Sequence, residues 1–142
     1  MIVRENIYAA LFALIQAVPN VKVYSRKLAH WADCPEFPAL YVHQKDEAVV
    51  KTGRRLPSKH TMHAEVYIYV QAPDGVLSAT LLNNLVDAVQ LSLAPPNPGI
   101  ENRQTLSGQV EDCWIDGPIM TDEGVLGQTG VAIIPISILV GE

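Results

Sequence analysis

Lys59-His-Thr-Met-His-Ala-Glu-Val-Tyr-Ile-Tyr-Val-Gln-Ala72 is the stretch on which the fold turns. Met62, Ala64, Val66, Ile68 and Val70 fall on one side of an extended chain, and His63, Glu65, Tyr67, Tyr69 and Gln71 on the other. Side chains alternate across a strand, so this period of two marks a sheet with one dry face and one face open to water or a partner. The preceding run, Ala39–Val50, is apolar enough to pair with it, and the segment Lys51-Thr-Gly-Arg-Arg-Leu-Pro-Ser58 carries the turn chemistry of a hairpin.

Working outward from the hairpin, Val21–Arg26 reads as a short strand, and His30–Pro38 as an irregular stretch whose two prolines exclude regular structure. Residues 3–18 read as a helix: Ile7, Leu11, Leu14, Ile15 and Val18 share one face, and Pro19 stops the run. On the other side, Asp74–Gly75 leads into a helix over about 76–93, striped by Leu77, Leu81, Leu85, Val89 and Leu93. Ala94-Pro-Pro-Asn-Pro-Gly99 ends it. Gly108–Ile115 and Val131–Val140 read as two more strands, separated by an acidic, Gly-rich loop, Asp116–Gln128. Pro135 cannot donate to a ladder, so the last strand is expected to be an edge or to pair on one side there. The order α-β-β-β-α-β-β predicts an α+β fold, an antiparallel β-sheet with two helices packed on one face, in a single domain over residues 1–142.

Composition narrows the function. With 49% hydrophobic and 18% charged residues the chain suits one globular core. A net charge of −5 argues against a grip on nucleic acid by overall attraction. The charge is divided, however. Residues 1–60 hold nine Lys/Arg against five Asp/Glu, while residues 61–142 hold Arg103 against ten acids. Such polarity suits a subunit meeting copies of itself, although folding can also mix the halves on one surface. Cys34 and Cys113 form no CxxC pair, which favours a reducing compartment. No stretch reaches the length of about 18–20 apolar residues that spans a bilayer, so no membrane is expected.

Chemistry-bearing motifs are scarce. His60 and His63 point to opposite faces of a strand; His43 and His63 could face one another across the hairpin, but two imidazoles do not fill a metal's coordination shell. Cys34 near His30 lacks a Cys/His partner motif. The pairs Asp46–Glu47, Glu111–Asp112 and Asp122–Glu123 diverge on strands or lie solvated in loops, and no GxSxG, P-loop or GxGxxG occurs. No enzyme, no metal and no cofactor is expected. Lys51, Arg54, Arg55 and Lys59 make the hairpin basic, either as a solvated tip that discourages aggregation or as an arm onto an acidic neighbour or passing DNA. His63, Glu65, Tyr67 and Tyr69 form a sheet face suited to an interface, since tyrosine buries area while its hydroxyl keeps a partner.

Taken together, these elements resemble the tail terminator proteins of tailed bacteriophages, the lambda-like group. The likeness lies in the Phe37-Pro-Ala-Leu-Tyr-Val42 entry to the long strand, the basic hairpin and the leucine-striped helix. It continues through Cys113-Trp-Ile-Asp-Gly117, Thr121-Asp-Glu-Gly124 and Ile134-Pro-Ile-Ser-Ile-Leu139. The Pro-rich run 94–99 reads as an embellishment. This resemblance implies a structural virion protein, assembled in the host cytoplasm as a homo-oligomeric, hexameric ring at the head-proximal end of the tail. Its implied partners are the tail tube protein and the head–tail connector protein, and DNA passes through its centre without specific binding. Glu111, Asp112, Asp116, Asp122 and Glu123 are then candidate lumen-facing acids, and Lys51–Lys59 a candidate arm to a neighbour or the tube. A different neck protein (a head–tail stopper or tail completion protein), a small-ligand-binding module and a metal-dependent enzyme stay open as alternatives.

Overall fold

The computed structural model describes residues 1–51, 53–123 and 128–141. Two helices, α1 (Arg4–Gln16) and α2 (Ser78–Ser92), pack on one face of a six-stranded sheet. Its strands are β1 (Val23–Ser25), β2 (Ala39–Lys51), β3 (Ser58–Gln71), β4 (Asp112–Ile115), β5 (Met120–Asp122) and β6 (Thr129–Gly141). The order across the sheet is β1-β2-β3-β6-β4, with β5 also paired to β6. The α+β class and the placement of both helices are as the alternation and stripes predict.

Register explains the dry face. Met62 lies opposite Ile138, Ala64 opposite Ile136, Val66 opposite Ile134 and Ile68 opposite Ala132. These pairs, with Leu40 and Val42 of β2 and Cys113 of β4, face Ile7, Tyr8, Leu11 and Ile15 of α1 and Leu82, Leu85 and Val89 of α2 in one continuous core. Burying each such aliphatic side chain stabilises by about 1.5–3 kcal/mol, so this face holds most of the fold together. Helix α2 reaches the sheet closely because residue 130 is glycine. A Cβ there would lie 3.0 Å from Leu82 Cδ1, 3.0 Å from Val70 Cγ2 and 3.2 Å from Ser78 Cβ.

Several local expectations are corrected. β1 pairs with β2 in parallel, not antiparallel; residues 26–38 supply the crossover of about a dozen residues that parallel neighbours require. Strand β4 begins at Asp112, later than predicted, because Leu106, Ser107 and Gly108 all take positive φ, a conformation that no strand accommodates. The acidic loop contains a strand, β5, too short for periodicity to reveal. Residues 124–127 of that loop, and residues 52 and 142, lie outside the described residues.

Strand β6 is no edge. It pairs with β3 along its whole length and with β4 and β5 on its other side. Pro135 is accommodated at a break: β4 ends opposite Ile136 and β5 starts opposite Ile133. The Asp116 N–H donates to the Pro135 carbonyl at 3.0 Å, so that carbonyl points away from β3. The proline nitrogen, on the same side of the extended chain, points into the gap, where no donor is needed. The free edges are therefore β1 and the outer side of β2 on one flank, and β4–β5 on the other.

Candidate assembly interface

The β2–β3 hairpin carries the basic arm. The two strands stay paired to Lys51 and Ser58, after a register shift between Gln44 and Glu47. The turn is closed by Leu56 N–H donating to Gly53 O at 3.2 Å, with Arg55 at φ 69. Lys51, Arg54 and Arg55 are exposed and enter no ion pair with a described residue. Lys59 is different. Its ammonium sits on the Glu111 carboxylate, so it braces the hairpin base against the segment before β4. The four cations are thus three at the tip and one tied down.

Beside those three cations lie Val49, Val50 and Leu56, which are 55%, 56% and 53% exposed. Sequence reading missed them as interface residues. The signal was present: Val49-Val50 breaks the alternation at the hairpin's end, so one of them must face away from the core whatever the register. The flank of β2 beyond them is also open, because β1 covers only Ala39, Leu40 and Tyr41.

The polar face of β3 is narrower than predicted. Tyr69 is 4% exposed and packs with Tyr41 and Ala39 under Leu28, Ala29, Trp31 and Phe37. Its hydroxyl donates to Ala29 O at 2.8 Å, and burial pushes its pKa up to about 12. The irregular stretch rich in Pro and Trp is thus a cover for one end of the tyrosine face and leaves almost none of Tyr69 at the surface. Tyr67 stays half-buried, its ring edge-on to Tyr69 and His43 and its hydroxyl donating to Glu65 at 3.4 Å. Lys45 lies 3.6 Å from Glu65, and His63 Nδ1 lies 2.9 Å from Asp46. His43 pairs across the ladder with Glu65, so His43 and His63 are not opposite one another. Among the described residues, no three His, Cys, Asp or Glu side chains converge as metal ligands would.

The same open face continues onto β6 and the far flank. Val131, Ile133, Pro135 and Leu139 share the side of Tyr67 and Tyr69, followed by Trp114 of β4 and Met120 of β5. Met120 is 64% exposed.

The five acids separate into two groups. Glu111 binds Lys59; Asp112 Oδ1 accepts from the Gln104 and Cys113 N–H groups at 3.1 and 2.8 Å; Asp116 Oδ2 accepts from Ser137 Oγ at 2.9 Å. These three shape the ends of β4. Asp122 ends β5 and Glu123 follows it; the Glu123 main-chain carbonyl accepts from Ser78 Oγ at 2.7 Å, and its side chain is exposed. The first group meets the hairpin base through Glu111, whereas Asp122 and Glu123 lie by the β5 edge, across β6 and β3 from β2.

No protein-family model matches the chain, and no curated protein matches it in sequence. Among solved structures, it resembles a chain of the virion of a native gene transfer agent particle, with a TM-score of 0.51 and 12% identity. The likeness covers 98% of this chain and 91% of that one, so the two share a fold essentially end to end. Among the described residues, no helix is long and apolar enough to cross a membrane.

Proposed function

We propose that this protein is a structural virion subunit whose copies close into a ring on the end of a phage tail tube, stop its polymerisation and offer the surface that joins tail to head. The observation that carries the reading is the end-to-end fold likeness to a chain of a gene transfer agent virion, found beside the terminator-like order of elements. The exposed surface supports it: a basic, valine-bearing hairpin on one flank, an acidic flank opposite, and an open sheet face containing Tyr67, Ile133, Leu139, Trp114 and Met120. Such surfaces suit binding to other chains.

Mechanistically the work is association. A ring closes when a heterologous contact repeats through the right rotation, and it ends a tube when its outer face lacks the surface that accepts another tube ring. A hexamer, the tail tube protein and the head–tail connector are the partners this reading entails. Acids on the β4–β5 flank, turned to the lumen, would let DNA pass without adhering. The test is to grow tail tubes from purified tube protein with and without this chain. The expected result is arrested growth with the protein seen at one tube end. Unaltered elongation, with the protein bound elsewhere on the particle, would assign it to another neck position.

A further inference from the structure

The sheet has two unfinished flanks of opposite character. On the first, β2 from Val42 to Lys51 has β3 on one side and no described strand on the other. Unpaired strand edges present rows of N–H and C=O groups and are templates for pairing. Part of this edge is blunted: the register shift at Gln44–Glu47 interrupts it, and Lys45 is drawn towards Glu65. Beyond the shift the ladder is regular again from Glu47 to Lys51. That stretch holds the half-exposed Val49 and Val50 and runs into Lys51, Arg54 and Arg55. Strand-forming, apolar and cationic groups therefore meet on a length of β2 whose outer side no described strand covers.

On the second flank, among the described residues, β5 pairs with β6 alone. Ile119 and Met120 are exposed there, half-buried Asp122 ends the strand, and exposed Glu123 follows it. The lengths are compatible: the three residues of β5 fit within the five of β2 from Glu47 to Lys51. Hydrophobic character matches as well, and charge is complementary, three cations facing at least two acids. Pairing β2 with β2 of another copy would be isologous and close a dimer, whereas pairing β2 with β5 can repeat from copy to copy around a ring.

We infer that the Val49–Lys51 edge of β2 and the adjoining hairpin of one copy pair with the β5 edge of a second copy, continuing the sheet from subunit to subunit. Because donor and acceptor edges lie on opposite flanks of one sheet, every subunit uses both, and the contact is heterologous. This deepens the ring reading and rests on it: it names which surfaces would close the ring.

Charge exchange tests it. Arg54→Glu with Arg55→Glu makes the hairpin acidic; Asp122→Lys with Glu123→Lys makes the β5 flank basic. Each double variant alone is expected to associate more than about tenfold more weakly than wild type. An equimolar mixture is expected to recover the wild-type mass, because each hairpin then meets an edge of opposite sign in an alternating ring. Recovery on mixing cannot come from misfolded chains. A wild-type mass retained by either variant, or no recovery on mixing, overturns the edge pairing while leaving a ring built on other surfaces. Variants that keep their mass but no longer bind tail tubes assign the hairpin to the tube and overturn it equally. A wild-type protein that stays monomeric both alone and with tail tube protein added removes the edge pairing and the ring together.

Discussion

Glu47 ties the start of the chain to the root of the hairpin. Its carboxylate accepts from Arg4 Nε and Nη2 at 2.7 and 2.8 Å and lies 2.7 Å from His60 Nδ1. The Arg4 guanidinium, with help from His60, holds its pKa at about 2, below its ordinary 4.5. A carboxyl whose folded pKa is depressed adds stability above the unfolded value, and that stability is lost as pH falls through the folded one. The wild type should therefore lose stability between about pH 4.5 and 2 through this group, with α1 released from the hairpin. In Glu47→Gln that component of the acid transition should vanish, and stability at neutral pH should fall; urea titrations of both proteins across pH 2–7 read it. Such a cluster was not legible in sequence. Asp46–Glu47 reads as a diverging pair on a strand, and only the register shift beside it turns Glu47 onto the helix side, towards Arg4 and His60. The tyrosines were half legible. Alternation put Tyr67 and Tyr69 on one face correctly, but periodicity cannot say that residues 28–37 fold back over Tyr69.

At the scale of elements, helix α2 depends on a single small residue. Gly130→Ala would place a methyl group 3.0 Å from Val70 Cγ2 of β3 and Leu82 Cδ1 of α2, both fully packed in the core, and 3.2 Å from Ser78 Cβ at the start of the helix. The neighbours have little room to yield, so a loss of about 1–3 kcal/mol is expected in urea denaturation, without loss of the fold. The long elements were readable because their periods were strong: the hairpin, both helices and the final Ile-rich strand. What escaped was set by tertiary context. β1 is three residues long and its direction depends on the crossover, while β5 takes its identity wholly from pairing with β6. Pro135 misled in part. A proline in a strand argues for an edge, yet here two short strands abut the same side of β6 and leave a gap between them for it. The helix start was also placed early, because Leu77 continues the apolar stripe although its backbone is extended and its side chain exposed.

On the scale of the whole molecule, the uneven charge along the chain survives folding in one respect: the outer edge of β2, which runs into Lys51, Arg54 and Arg55, and the β5 edge with Asp122 and Glu123 lie on opposite sides of the sheet, although Glu111 meets Lys59 at the hairpin base. That separation could not be read from the sequence, which was equally consistent with mixing on one surface. The apolar residues of the open face were likewise hidden, since Val131, Ile133 and Leu139 belong to a strand whose inward residues alone are enough to explain its hydrophobicity.

The most direct test of the account is the solution mass of the purified protein, by light scattering across concentration and again with tail tube protein added. It predicts a closed species of fixed mass near six chains, formed alone or on the tube, with no continuing growth into filaments. A chain that remains monomeric under both conditions would contradict it.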